Sequence, residues 1–175
     1  MITIYEYLLS KKHNKPDMTI HATDETVYDI VLNEVEKLGP NADFNHIDIS
    51  KVTTFVFDSD EKHSPFKTFT HDDIWGSNWM PLRFGWDIKK FNGDISKWDV
   101  SNVKYMCGLF EGYDKFNCDI SGWNVSNVER TDYMFHDAKK FDKDLSKWNL
   151  GKLETSASMF GDCRIRKEYL PHYEY

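Results

Sequence analysis

The octets FNGDISKW from Phe91, FNCDISGW from Phe116 and FDKDLSKW from Phe141 recur at a constant 25-residue interval, and this period constrains the fold more than any other feature. The full units are FNGDISKWDVSNVKYMCGLFEGYDK, FNCDISGWNVSNVERTDYMFHDAKK and FDKDLSKWNLGKLETSASMFGDCRI, with no insertion between them. Five positions are identical in all three: Phe91/Phe116/Phe141, Asp94/Asp119/Asp144, Ser96/Ser121/Ser146, Trp98/Trp123/Trp148 and Phe110/Phe135/Phe160. Aliphatic positions recur as well, such as Ile95/Ile120/Leu145 and Val100/Val125/Leu150. A unit this short cannot bury its apolar face alone, so stacked units must cover one another, like side chain over like. One inserted residue would push every later apolar side chain out of its column.

Two textures alternate within a unit. Trp98, Val100 and Val103 lie in a stretch where apolar residues alternate with polar Asp99 and Ser101, which is strand periodicity. The next stretch, KYMCGLFEGYDKF, spaces Tyr105, Met106, Leu109, Phe110 and Tyr113 as a turn or two of helix would. The expectation is an α/β fold: a short leucine-rich-repeat-like (LRR-like) solenoid of parallel short strands and helical turns, with an N-terminal helical cap.

The string F-N-x-D-I-S-x-W-[DN]-V-S-N-V, closing on M-F before the next F, resembles the BspA-like repeats. These are the mycoplasma-lipoprotein-type repeats of the DUF285 group, bacterial relatives of leucine-rich repeats. The resemblance covers residues 91–163. It implies a leucine-rich-repeat-like fold and a surface for adhesion or protein binding rather than an enzyme.

The pattern fades upstream. Ile47–Phe55 (IDISKVTTF) aligns with WDVSNVKYM from Trp98, setting Asp48, Ser50 and Val52 on Asp99, Ser101 and Val103. Residues 44–90 read as one or two degenerate repeats with an insertion, which includes a hairpin on Val56–Phe57 and Phe66–Phe69. Residues 1–43 read as a helical cap. Thr3 and Glu6 fit a capping box for a short first helix. Thr23 is the expected N-cap of a second, with Asp24 and Glu25 in its first turn, a stripe of Val27, Ile30, Val31, Val35 and Leu38, and a stop at Gly39-Pro40. Residues 164–175 cover the other end, so the chain reads as one structural domain overall.

A formal charge of −7 and a pI near 5.5 argue against a phosphate-binding protein and against direct nucleic-acid contact. Cys107, Cys118 and Cys163 form neither a CxxC pair nor a disulfide framework. Cys163 shares its slot with Tyr113 and Ala138 and reads as a core residue. The stretch MITIYEYLLSKKHNKPD has no signal-peptide apolar run and no lipobox cysteine, so the expectation is a cytoplasmic protein with no membrane association.

The candidate sites divide into structural and functional readings. One Asp per unit in the Asp94/Asp119/Asp144 column offers too few oxygens for Ca²⁺, so each Asp is expected to accept backbone N–H bonds in a local turn. Asn102 and Asn127, followed by Lys152, read as an asparagine ladder whose last rung opens to solvent. His46, His63 and His71 with Asp72 and Asp73 are the only sketch of a metal site, and no cofactor is expected. Two surfaces suit a partner. One is the Trp-rich segment IWGSNWMPLRFGW, with Trp75, Trp79 and Trp86, whose first reading is core packing of the degenerate coil and whose second is an aromatic contact patch. The other is the outward face of the repeats, with Lys97, Asp99, Asn124, Lys147 and Asn149.

The functional expectation is a non-enzymatic protein-binding module, a monomer or small homo-oligomer. Its finer form is a phage or mobile-element protein that inhibits a bacterial defence protein or another host protein in the host cytoplasm. The alternatives are a self-assembling virion accessory or surface protein, and a metal-dependent hydrolase built on the His/Asp-rich segment 58–73.

Overall fold

A computed structural model of the protein describes residues 19–55 and 90–172. The element order is β1 (Ile20–His21), α1 (Val27–Leu38), β2 (Ile47–Asp48) and a closing 3₁₀ turn (Lys167–Tyr169). β1 pairs in parallel with β2, Ile20 opposite Ile47.

The repeats stack through single parallel bridges, which link Thr54 to Tyr105, Tyr105 to Arg130 and Arg130 to Thr155. Asp43 also bridges Asp94, so the first described coil sits on the next at the same 51-residue offset at both points. Two files of phenylalanines cover one another. Phe91 lies 6.3 Å from Phe116, and Phe116 lies 5.7 Å from Phe141. A second file, Phe110–Phe135–Phe160, has centroid spacings of 5.4 Å at each step. The files interleave, with Phe110 only 3.9 Å from Phe116 and Phe135 only 4.3 Å from Phe141. Trp98, Trp123 and Trp148 are buried, and each indole satisfies its N–H on the coil before it. Their Nε1 atoms donate to Phe44 O, Ile95 O and Ile120 O at 3.0, 3.2 and 3.2 Å. Ile95 O and Ile120 O also accept the amides of Trp98 and Trp123, so one carbonyl closes its own turn and receives the next coil's indole.

The stretch 98–103, which alternates like a strand, forms no ladder. Asp99 Oδ1 accepts Ser101 N at 3.0 Å and Val100 O accepts Val103 N at 2.9 Å, so local turns absorb the amides that a ladder requires. The alternation instead sorts side chains inward (Trp98, Val100, Val103) and outward (Lys97, Asp99).

The expected helical turn after Tyr105 is also absent. Gly108 (φ +64°) and Gly112 (φ +67°) take left-handed backbone, and their counterparts Tyr133, Asp137, Ser158 and Asp162 do the same at φ +49° to +57°. A left-handed residue every fourth position breaks a helix into consecutive tight turns. The amides then alternate in use. Leu109, Glu111 and Tyr113 donate within the coil, to Met106, Gly108 and Phe110. Met106, Gly108, Phe110 and Gly112 donate across to Arg130, Asp132, Met134 and His136 of the next coil, and Thr131, Tyr133, Phe135 and Asp137 repeat this onto Thr155, Ala157, Met159 and Gly161. These alternating bonds use the amides of the turn row both within a coil and between coils, and the inter-coil set fixes the stacking.

At the N-terminal end, α1 begins later than its sequence suggests. Thr26, not Thr23, stands at the N-cap, because Thr23 O closes a preceding turn with Thr26 N and Val27 N. Asp24 makes its side-chain bonds away from the helix start. Its carboxylate reaches the first coil, accepting Thr53 N at 2.6 Å, Thr53 Oγ1 at 2.7 Å and Thr54 N at 3.2 Å. Val27, Leu32 and Val35 are buried, while Ile30, Val31 and Leu38 are half-buried against the same core. Gly39 (φ +86°) ends the helix as expected. The proposed first helix near Thr3 and the hairpin on Val56–Phe57 and Phe66–Phe69 lie outside the described residues.

Candidate binding surface

The recurring Asp-x-Ser step builds the outer rim. Asp94, Asp119 and Asp144 each accept the amide of the Ser two residues on, at 3.0, 3.1 and 2.9 Å. Asp48 does the same for Ser50 at 2.9 Å, and the Ser50 amide and hydroxyl, with His21, hold its carboxyl at about 2. Bonds from the Ser partners likewise keep Asp94, Asp119 and Asp144 below the usual carboxylate range. These carboxylates are spent on backbone, as a turn-forming role requires. Among the described residues no group of three or more His, Cys, Asp or Glu side chains is placed to hold a metal ion.

One step further along each coil, Asp99, Asn124 and Asn149 cap a second row of turns, accepting Ser101 N, Ser126 N and Gly151 N at 3.0, 3.3 and 3.1 Å. All three are exposed, as are Lys97 and Lys147. The structure thus gathers all five described candidate residues onto one edge of the stack, at tips whose backbone is pinned from below. Trp75, Trp79 and Trp86 lie outside the described residues, as do His63, His71, Asp72 and Asp73. His46 pairs with Glu34 at 3.0 Å. Burial raises the Glu34 carboxyl, but bonds from Lys37 and His46 outweigh it and leave the acid below its ordinary value.

The asparagine ladder forms at the surface rather than in the core. Asn102 Nδ2 donates to Ser50 O and Asn127 Nδ2 to Ser101 O, both at 2.8 Å, and exposed Lys152 continues the file onto Asn127 Oδ1 at 2.6 Å.

The thiols are half-buried, and burial first of all raises the pKa of each. Cys107 reaches about 11, with the charge of Asp132 adding to the burial. Asp132 is itself occupied: Oδ2 accepts from Thr155 Oγ1 and Arg130 Nε, and Oδ1 accepts Ala157 N at 2.8 Å. Burial opposes its ionisation, but the Thr155 and Ala157 bonds keep it below the ordinary range. Cys163 packs as a core residue and donates to Ala138 O at 3.5 Å.

A different face carries an open groove of about 550 Å³. Its lining includes Lys90, Lys115 and Lys140, one from each successive coil, with Asn92 and Asn117 between them. The periodic reading passes over these lysines, although each stands immediately before a column Phe.

A family model described as "Mycoplasma protein of unknown function, DUF285" matches residues 83–173. No curated protein and no solved structure matches the chain.

Proposed function

The chain belongs to the DUF285 family, and from that premise we propose that it is a non-catalytic, LRR-like solenoid module that binds another protein through the exposed turn edge. One observation carries this reading. The invariant Asp94/Asp119/Asp144 rungs are tied to backbone, while the neighbouring tips vary in charge and size, Lys97-Trp-Asp99 against Gly122-Trp-Asn124 and Lys147-Trp-Asn149. A rigid frame with varied exposed tips loses little conformational entropy on docking. The finer reading, in which a phage or mobile-element product acts in the host cytoplasm by covering a bacterial defence protein, rests on the sequence alone.

The test is affinity capture with the wild-type chain and with Lys97→Glu/Lys147→Glu, both changes lying on exposed side chains. A partner retained by the wild type and lost at least tenfold by the variant supports the turn edge. Equal retention by both removes it.

A second reading, self-assembly, is favoured by the terminal coil. The amides of Ser158, Phe160 and Asp162 occupy the positions that donate upward in the earlier coils, and they meet no acceptor among the described residues. Such an open edge is a template for another chain. Light scattering coupled to size exclusion decides: a monomer at 100 μM, roughly the range where weak edge pairing shows, removes this reading.

A further inference from the structure

We propose that the Lys90/Lys115/Lys140 groove is a second contact site, one that takes an extended acidic peptide segment of a partner. This rests on the protein-binding reading above.

The groove reverses the sign of a chain whose formal charge is −7. Its three lysines are exposed, and among the described residues none is paired with a carboxylate. Of the carboxylates beside it, one is closely paired, and the other shares Lys139 with Asp137, which is nearer that lysine at 3.3 Å. Asp142 is held by Arg166 through Nε and Nη2 at 3.0 and 2.9 Å, and Asp114 lies 3.9 Å from Lys139. The asparagines add donors rather than acceptors. Asn92 Oδ1 accepts Asn117 N at 2.7 Å and Asn117 Oδ1 accepts Asp142 N at 3.1 Å, so each oxygen is turned to the next coil's backbone, and the Nδ2 amides donate to nothing among the described residues. A lining of ammonium and amide N–H groups is a surface for anionic oxygens.

The geometry favours a peptide. Successive lysines stand on coils about 5 Å apart, so the row spans about 10 Å, the reach of three to four extended residues. Asp or Glu at alternate positions would then face the lysine row. A nucleic acid fits less well, because a long polyanion meets the chain's net negative field, and the lining side chains offer Lys, Asn and Pro with no aromatic ring on which a base could stack.

The test is fluorescence anisotropy of a dye-labelled Asp-Gly-Asp-Gly-Asp-Gly peptide against the full chain, with a labelled oligo-dT and inorganic polyphosphate as parallel probes. We expect peptide binding that weakens about tenfold between 50 and 300 mM NaCl as screening rises. It should fall at least thirtyfold in Lys90→Gln/Lys115→Gln/Lys140→Gln and stay within twofold in Lys51→Gln, an exposed lysine that belongs to neither surface. Circular dichroism should show the triple variant folded, as expected for exposed lysines. Tighter binding of oligo-dT or polyphosphate than of peptide overturns the proposal, as does peptide binding unchanged in the triple variant or absent in the wild type. Those failures leave the turn-edge reading standing, because that reading is decided by capture with the Lys97/Lys147 variant.

Discussion

Phe116→Ala tests the interleaved aromatic files most directly. Phe116 is fully buried, with Phe110 at 3.9 Å, Phe141 at 5.7 Å and Phe91 at 6.3 Å. Truncating a buried Phe costs about 3–5 kcal/mol, set by how far the site can collapse. Collapse is resisted here, because the backbone on either side is pinned: Phe116 N donates to Tyr113 O and Asn117 N to Asn92 Oδ1. Three ring contacts are lost as well, which places the expected loss near the top of that range, about 5 kcal/mol. Phe160 occupies the last rung of its file. It is half-buried and touches Phe135 alone among the described rings, so Phe160→Ala should cost about 2 kcal/mol. The gap of about 3 kcal/mol corresponds to roughly 6–12 °C in Tm for a chain of this size. Urea unfolding followed by tryptophan fluorescence reads both variants, since Trp98, Trp123 and Trp148 are all buried. Equal losses for the two substitutions would refute the claim that position within the file sets the energetics.

Four further outcomes are expected. Gly108→Ala forces a side chain into φ +64° with ordinary space around it, and should destabilise by about 1 kcal/mol, whereas Ser158→Gly at φ +49° should stabilise by about 0.5 kcal/mol; urea midpoints check both signs. Asp48 and the Asp94/Asp119/Asp144 file have folded pKa values below the unfolded value near 3.9, so their contribution is complete above about pH 4 and is lost as pH falls toward 2; a urea midpoint flat from pH 6 to 2 would contradict this. With its pKa near 11, Cys107 is roughly 0.1% thiolate at pH 8, and iodoacetamide should label it at least a hundredfold more slowly in the folded chain than in urea, as read by mass spectrometry. Asp132→Ala strips partners from Thr155, Arg130 and Ala157 N together and should cost about 2–3 kcal/mol, with Asp132→Asn recovering about half, measured by thermal melts.

The side-chain files were legible in the sequence because they rest on identity at a fixed interval. Phe91/Phe116/Phe141 declared themselves, and so did the turn role of Asp-x-Ser, since a short acid two residues before a hydroxyl is local chemistry; Trp98, Trp123 and Trp148 are buried at the expected interval, each ring 6.2 Å from a Phe, namely Phe55, Phe110 and Phe135. The Ile47–Phe55 alignment, weak in letters, matches the observed offset between Thr54 and Tyr105. The backbone of the turn row was not legible. Tyr133, Asp137, Ser158 and Asp162 look compatible with helix, and only Gly108 and Gly112 in the first unit hint at left-handed positions four apart. Stacking overrides local preference there, because amides turned toward the next coil gain acceptors that a helix would not offer. Thr23 misled for a related reason: its neighbour Asp24 is claimed by Thr53, thirty residues away along the chain in round numbers, and no local pattern reports that. The lysine row went unseen because periodicity was read for apolar files, while Lys90, Lys115 and Lys140 repeat just outside them.

The alternation of amides between turn and neighbour has a mechanical consequence. The bonds from Met106, Gly108, Phe110 and Gly112, and those from Thr131, Tyr133, Phe135 and Asp137, all point along the stacking direction. Tension applied in that direction loads the rungs of one gap together and the gaps in series, so the weakest gap yields first and the others hold. Each yielding event between two regular units should release one 25-residue unit, roughly 85 Å of slack, whereas the gap between Thr54 and Tyr105 should release about twice that. Under load the three regular repeats are expected to extend in equal steps, shedding one turn of the spool at a time while the remainder stays wound, with one longer step where the first described coil lets go.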